Sequence, residues 1–234
     1  MGINKKRIAQ RQNEAKNAAK QEQNKKITTI AAIVGGSVVV VLLVVLAFAM
    51  LLPSCGKADI PKLDKDVYYA DIEIENYGKI VVKLDHKAAP ITVENFVKLA
   101  KEGFYNGLTF HRIIEGFMMQ GGCPKGTGTG DAGYEIKGEF AANGWDNPLK
   151  HERGTISMAR ANDPDSASCQ FFIVHKTSFN NTASLDGNYA AFGVVTEGMD
   201  IVDKICTEVK PSGDNGAVAK EDQPVIKSIT IREG

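Results

Sequence analysis

Hydrophobic and polar positions divide this chain of 234 residues into two unlike parts. Residues 27–56 carry no charged side chain, and Ile27 to Leu52 is almost wholly apolar, with an unbroken aliphatic block from Val38 to Leu46. About 20 apolar residues in a helix cross the hydrocarbon core of a bilayer, so residues 27–52 are expected to be a transmembrane or signal segment. Residues 53–65 read as a tether. The pattern then becomes that of a globular domain. Val67 to Glu75 is strand-like, alternating apolar and acidic positions towards its end, and Lys79 to Leu84 makes a second strand after the Asn76-Tyr77-Gly78 turn. Val93, Phe96, Val97 and Ala100 fall at helical spacing, bounded by Pro90 and Gly103. Short apolar runs at 108–114, 117–120, 154–159, 170–174 and 191–195 alternate with glycine-rich loops. A second helix is predicted around 198–206, with Met199, Val202 and Ile205 on one face, and Val225 to Ile231 reads as a closing strand. Many short strands with only two helices predict an all-β barrel or sandwich.

Charge orients this arrangement. The formal net charge is zero, yet residues 1–26 hold eight basic side chains against Glu14 and Glu22, so this head nets +6 and the remainder −6. Lys and Arg next to an apolar span resist translocation. The head (1–26) is therefore expected in the cytoplasm and the globular part on the far side of the membrane. An acidic globular part argues against a nucleic-acid partner, which requires a basic patch. Leu52-Pro53-Ser54-Cys55 also resembles a bacterial lipoprotein signal, in which Cys55 would be lipidated and the preceding segment removed. Pro53 and the long basic head fit an uncleaved anchor better. Either arrangement predicts a cell-membrane protein with an extracytoplasmic domain.

The segment from Phe110 to Gly122, Phe-His-Arg-Ile-Ile-Glu-Gly-Phe-Met-Met-Gln-Gly-Gly, resembles the signature of the cyclophilin family. Three further segments follow in the order that family shows. They are Gly126-Thr127-Gly128, then Ser157 to Ala161 with Ser168 to Ile173, then Leu185-Asp186-Gly187 with Phe192-Gly193. The resemblance spans nearly all of residues 66–233. It implies a closed eight-stranded β-barrel capped by two helices, mainly β, with a shallow outer groove that receives Xaa-Pro segments. It also implies peptidyl-prolyl cis-trans isomerase activity with no cofactor and no metal.

By that resemblance Arg112 is the catalytic residue, a fixed donor to the proline nitrogen. Phe117, Met118, Phe172 and Leu185 would line the pocket for the proline ring. Gln120 and the backbone of Ala159, Arg160 and Ala161 would hold the peptide, with Tyr189 at the pocket edge. Taken alone, the apolar members would be read as core residues and Arg112 as a surface cation. The sequence departs from the family at three places. Ser184 stands where its best-known members carry a tryptophan that helps bind cyclosporin, so weak cyclosporin sensitivity is expected. Tyr189 replaces a frequent histidine, and Arg160 a frequent asparagine. His111 neighbours Arg112 and, in a regular strand, is expected to point to the opposite face in a structural role.

Cys55, Cys123, Cys169 and Cys206 form no C-x-x-C pair or zinc spacing. The three in the domain read as buried small hydrophobes, a Cys123–Cys169 bridge being conceivable in an oxidising exterior. The expected partners are Pro-containing segments of exported proteins, met by a monomeric domain. The rival reading is a non-catalytic chaperone or adhesin-like module that holds such segments with little turnover. A hydrolase is disfavoured because neither G-x-S-x-G nor H-E-x-x-H occurs.

Overall fold

The computed structural model describes residues 59–176, 184–213 and 215–234. The basic head, the apolar segment 27–52 and Cys55 lie outside the described residues. Among the described residues no helix is long and apolar enough to cross a membrane.

Eight strands and two helices follow in the order β1 (Val67–Ile74), β2 (Gly78–Asp85), α1 (Pro90–Lys101), β3 (Thr109–Ile114), β4 (Met118–Cys123), β5 (Thr155–Met158), β6 (Phe171–Val174), β7 (Ala191–Glu197), α2 (Met199–Glu208) and β8 (Ile226–Glu233). The strands and helices expected of the globular part are all present, with ends within a few residues of those read from the sequence. The hairpin turn bends at Asn76, whose φ of 63° is a left-handed conformation that asparagine tolerates. Alternation decides which way β1 faces. Tyr68, Ala70, Ile72 and Ile74 are buried, while Tyr69, Asp71 and Glu73 are partly exposed.

The strands form one antiparallel sheet in the order β3-β4-β6-β5-β7-β2-β1-β8. It curls until its two ends meet. Thr109 bridges Val225, Phe110 donates to the Pro224 carbonyl at 2.9 Å, and Ile226 donates to that of Leu108 at 2.7 Å. The edge of β3 beyond this seam is occupied by segment 216–218, through bonds from Ile113 to the Gly216 carbonyl and from Val218 to that of His111.

The interior is packed, not hollow. Phe96 of α1 sits edge-on to Phe171, centroids 5.4 Å apart, and against Phe192 at 5.3 Å. The helix face read from spacing, Val93, Phe96, Val97 and Ala100, is buried here; each large apolar side chain so buried stabilises the fold by roughly 1.5–3 kcal/mol. The start of α1 is held from outside by the buried Glu139. Its carboxylate accepts the Ile91 and Thr92 amides at 2.9 and 2.8 Å and the Thr92 hydroxyl at 2.7 Å, satisfying donors that a helix start leaves open.

Cys123, Cys169 and Cys206 are free and buried. Burial pushes the thiols of Cys169 and Cys206 up to about 12, so neither has thiolate character. Burial also raises Cys123, but the surrounding backbone amides, led by those of Thr127 and Gly130, outweigh it and lower its pKa.

Candidate active site

The sheet carries a second, smaller apolar cluster on its outer face. Met118, Phe172, Val174 and Leu185 are buried together, with Ile114, Phe117, Ala159 and Tyr189 packed against them. Strands β4 and β6 are covered on both sides. Met119, Phe171 and Ile173 face the main core, while Met118, Phe172 and Val174 face this cluster.

Register explains how residues far apart in sequence converge here. Arg112 pairs with Gln120, Gln120 with Phe172, and Phe172 with Ser157, one residue from each of four adjacent strands. Arg112, Gln120 and Phe172 of this row line a recess of about 300 Å³, together with Phe117, Met118, Ala159, Arg160, Leu185 and Tyr189. Of the candidate residues, Ala161 alone stands outside that lining. It borders an adjoining recess of about 310 Å³ that shares Gln120, Ala159 and Arg160.

Arg112 is set at the rim. Its Nε donates to the Asn215 carbonyl at 2.7 Å, and Nη1 approaches Met118 Sδ at 3.9 Å. A guanidinium carries five donors, so several remain to face a ligand. Burial pulls its pKa down and the nearby Tyr189 pushes it up; guanidine starts so far above neutrality that the cation persists.

A β-bulge between Phe110 and Arg112 corrects the expectation for His111. The extra residue breaks the two-residue alternation. Phe110 enters the core, and His111 lies with Arg112 on the outer side, where both line one cavity.

Arg160 lines both recesses; its guanidinium stacks over Tyr189 at 4.7 Å and Phe140 at 5.1 Å and donates to the Asn188 and Ala161 carbonyls at 2.9 and 2.8 Å. It ties the 159–162 and 185–190 loops together. Gln120 donates to the Gln170 side chain at 3.0 Å, and Gln170 in turn donates to the carbonyls of Gly128 and Gly130 at 3.0 and 2.8 Å. The glycine loop is thereby fixed beside the recess.

Sequence reasoning missed the support beneath Phe172. The buried His151 stacks against it, centroids 6.0 Å apart and planes at 17°. Its Nδ1 bonds Asp186 and its Nε2 bonds the Ser157 hydroxyl, each at 2.9 Å. Burial lowers the His151 pKa more than Asp186 raises it, so the ring is neutral, with Nδ1–H donating to Asp186 and Nε2 accepting from Ser157. The quoted segments held Ser157 and Asp186, but no spacing pointed to His151.

The family model described as "Cyclophilin type peptidyl-prolyl cis-trans isomerase/CLD" matches residues 69–233. The chain is 52% identical over 139 residues to a peptidyl-prolyl cis-trans isomerase of Helicobacter pylori, covering 58% of this chain and 79% of that protein. It is 47% identical over 148 residues to peptidyl-prolyl cis-trans isomerase B of Bacillus subtilis, covering 63% and 92%. Among solved structures, a cyclophilin-type isomerase of Cryptosporidium parvum superposes with a TM-score of 0.59 at 30% identity, covering 72% of this chain and 99% of that one. Another structure of that protein was determined in the presence of the dipeptide Ala-Pro. The chain belongs to the cyclophilin family and is a peptidyl-prolyl cis-trans isomerase.

Proposed function

We propose that the outer recess binds a prolyl segment and that Arg112 accelerates rotation about the Xaa-Pro bond. The observation that carries this reading is a guanidinium held at the rim of a small recess that Phe117, Met118, Phe172 and Leu185 line. Amide resonance opposes rotation with a barrier of about 18–20 kcal/mol, and uncatalysed Xaa-Pro exchange takes tens to hundreds of seconds. In the twisted state the proline nitrogen loses conjugation and regains a lone pair. A donor fixed towards that lone pair favours the twisted state over both planar states, which is differential binding. Met118, Phe172, Leu185 and Phe117 grip the ring by apolar contact, while Gln120 and the 159–161 backbone restrain the chain on the other side of the bond. No covalent bond breaks, so neither nucleophile nor base is required.

Arg112→Ala is expected to lower kcat/KM on an Ala-Pro peptide by about 10²–10³-fold, the size typical of removing one transition-state donor. NMR exchange spectroscopy on the full-length chain in detergent measures it. Activity within a few-fold of wild type would favour the rival reading, a module that holds prolyl segments without turning them over.

The cellular setting rests on the sequence alone. The apolar segment 27–52 behind a basic head supports an anchor that leaves the domain on the outer face of the membrane, where its clients are exported proteins. Protease added to intact cells is expected to digest the domain and spare the head. Protection of the whole chain until the cells are lysed would sink this placement.

A further inference from the structure

Beside the proline recess, on the other flank of Arg112, lies a second cavity of about 520 Å³. Arg112 and Gln120 line both cavities, so one extended peptide can run from the first into the second. The second cavity is basic within an otherwise acidic domain. Arg112, Lys125 and Lys220 line it, Thr127 adds a hydroxyl, and no Asp or Glu lines it among the described residues. The buried His111 also lines it; neither ring nitrogen makes a hydrogen bond of full geometry, the Thr109 backbone being a weak polar neighbour. Buried polar groups are normally paired, so this poorly paired imidazole is sensitive to charge brought into the cavity beside it. Gly128 packs over the ring, where a Cβ would come 3.3 Å from His111 Nε2, so the imidazole lies against the cavity wall without opening its nitrogens into it.

We infer that this cavity receives an acidic side chain of the same peptide whose proline occupies the neighbouring recess. The carboxylate meets the ammonium groups of Lys125 and Lys220 and accepts a hydrogen bond from Thr127, with His111 in the wall beside it. Uncharged side chains leave those donors unmatched. The enzyme thus prefers prolyl segments with Asp or Glu close to the proline, on the side that lies beyond Arg112.

This rests on the isomerase reading, and peptide pairs separate the two. Prolyl hexapeptides differing only by Glu or Gln, placed in turn within three residues on either side of proline, are titrated by NMR against the full-length chain in detergent. At one position the Glu peptide is expected to bind roughly fivefold tighter, the scale of an exposed ion pair, and to shift the His111 imidazole resonances. The preference should vanish in the Lys125→Gln, Lys220→Gln double variant and weaken in high salt, with Gln peptides turned over equally by both proteins. Equal binding of Glu and Gln peptides at every position overturns the inference, as does a preference that survives in the double variant. Inorganic phosphate shifting His111 without any peptide discrimination would also overturn it, making the cavity a site for a free anion. Failure of the wild type to accelerate any Gln peptide would sink the isomerase reading itself, while the binding titration still reads charge preference.

Discussion

Arg112 and His111 differ in how they depend on their surroundings. Arg112 keeps donors free after Asn215 has taken one, and its proposed role uses those, whereas the imidazoles matter through the proton they refuse. His111, His151 and His175 are all pulled below the ordinary value of 6.5, chiefly by burial. For His111 the Arg112 charge adds to that pull. For His175, Nδ1 already accepts the Gly116 amide at 3.1 Å. In the unfolded chain these rings take up protons as pH falls through 6.5, while the folded chain does not follow until lower pH. Their contribution to stability is therefore full above 6.5 and declines as pH falls from there towards the folded values. The thermal midpoint is expected to drop between about pH 7 and pH 5, before the carboxylates titrate. His111→Gln should flatten that slope, and calorimetry across the range checks it; an unchanged midpoint over this window would contradict the assignment. Arg112 and its neighbours were legible because they lie in contiguous segments of known pattern. His151 was not, because its role depends on a stack with Phe172 that only packing creates.

At the scale of elements, periodicity carried most of the fold. The β1–β2 hairpin, α1 and α2 follow from spacing alone, since one buried face leaves a repeat of two or of 3.6 in the residues. A bulge leaves no such repeat. The extra residue in β3 turns the alternation over by one step, so a reading that assumed a regular strand sent His111 to the wrong face. Tertiary capping is equally silent. Ala89, the residue before α1, offers no side-chain cap, and the cap arrives from Glu139, far along the chain. Burial raises the Glu139 pKa, and the bonds from Thr92 and Ile91 only partly offset it. Glu139→Ala leaves two amides and a hydroxyl without their partner and is expected to cost about 2–4 kcal/mol. Urea unfolding reads this as a lowered midpoint at constant slope; a loss under about 0.5 kcal/mol would mean that water replaces the carboxylate.

For the whole molecule, residues 57–234 form one compact unit. The sequence carried the order of the strands along the chain but not which of them lie side by side. Non-consecutive neighbours such as β4 with β6 and β2 with β7 are set by curling one sheet around one core, and that is settled by packing across long sequence separations. The same curling brings Arg112, Gln120, Phe172 and Ser157 into one lateral row, so the recess is a by-product of the strand order.

The seam between β3 and β8, together with segment 216–218 along β3, has a consequence for how such a protein survives its own substrates. Unfolded chains add readily to any sheet with an open border, because each bare amide and carbonyl there offers them a rung. Along these stretches the border is closed, and a client cannot zip on as an extra strand there. Beside β3 it is held instead by what its side chains and its proline find in the outer recess, and it leaves as soon as those few contacts let go. A catalyst for slow bond rotation in sticky polypeptides gains from having no open rung beside its binding site.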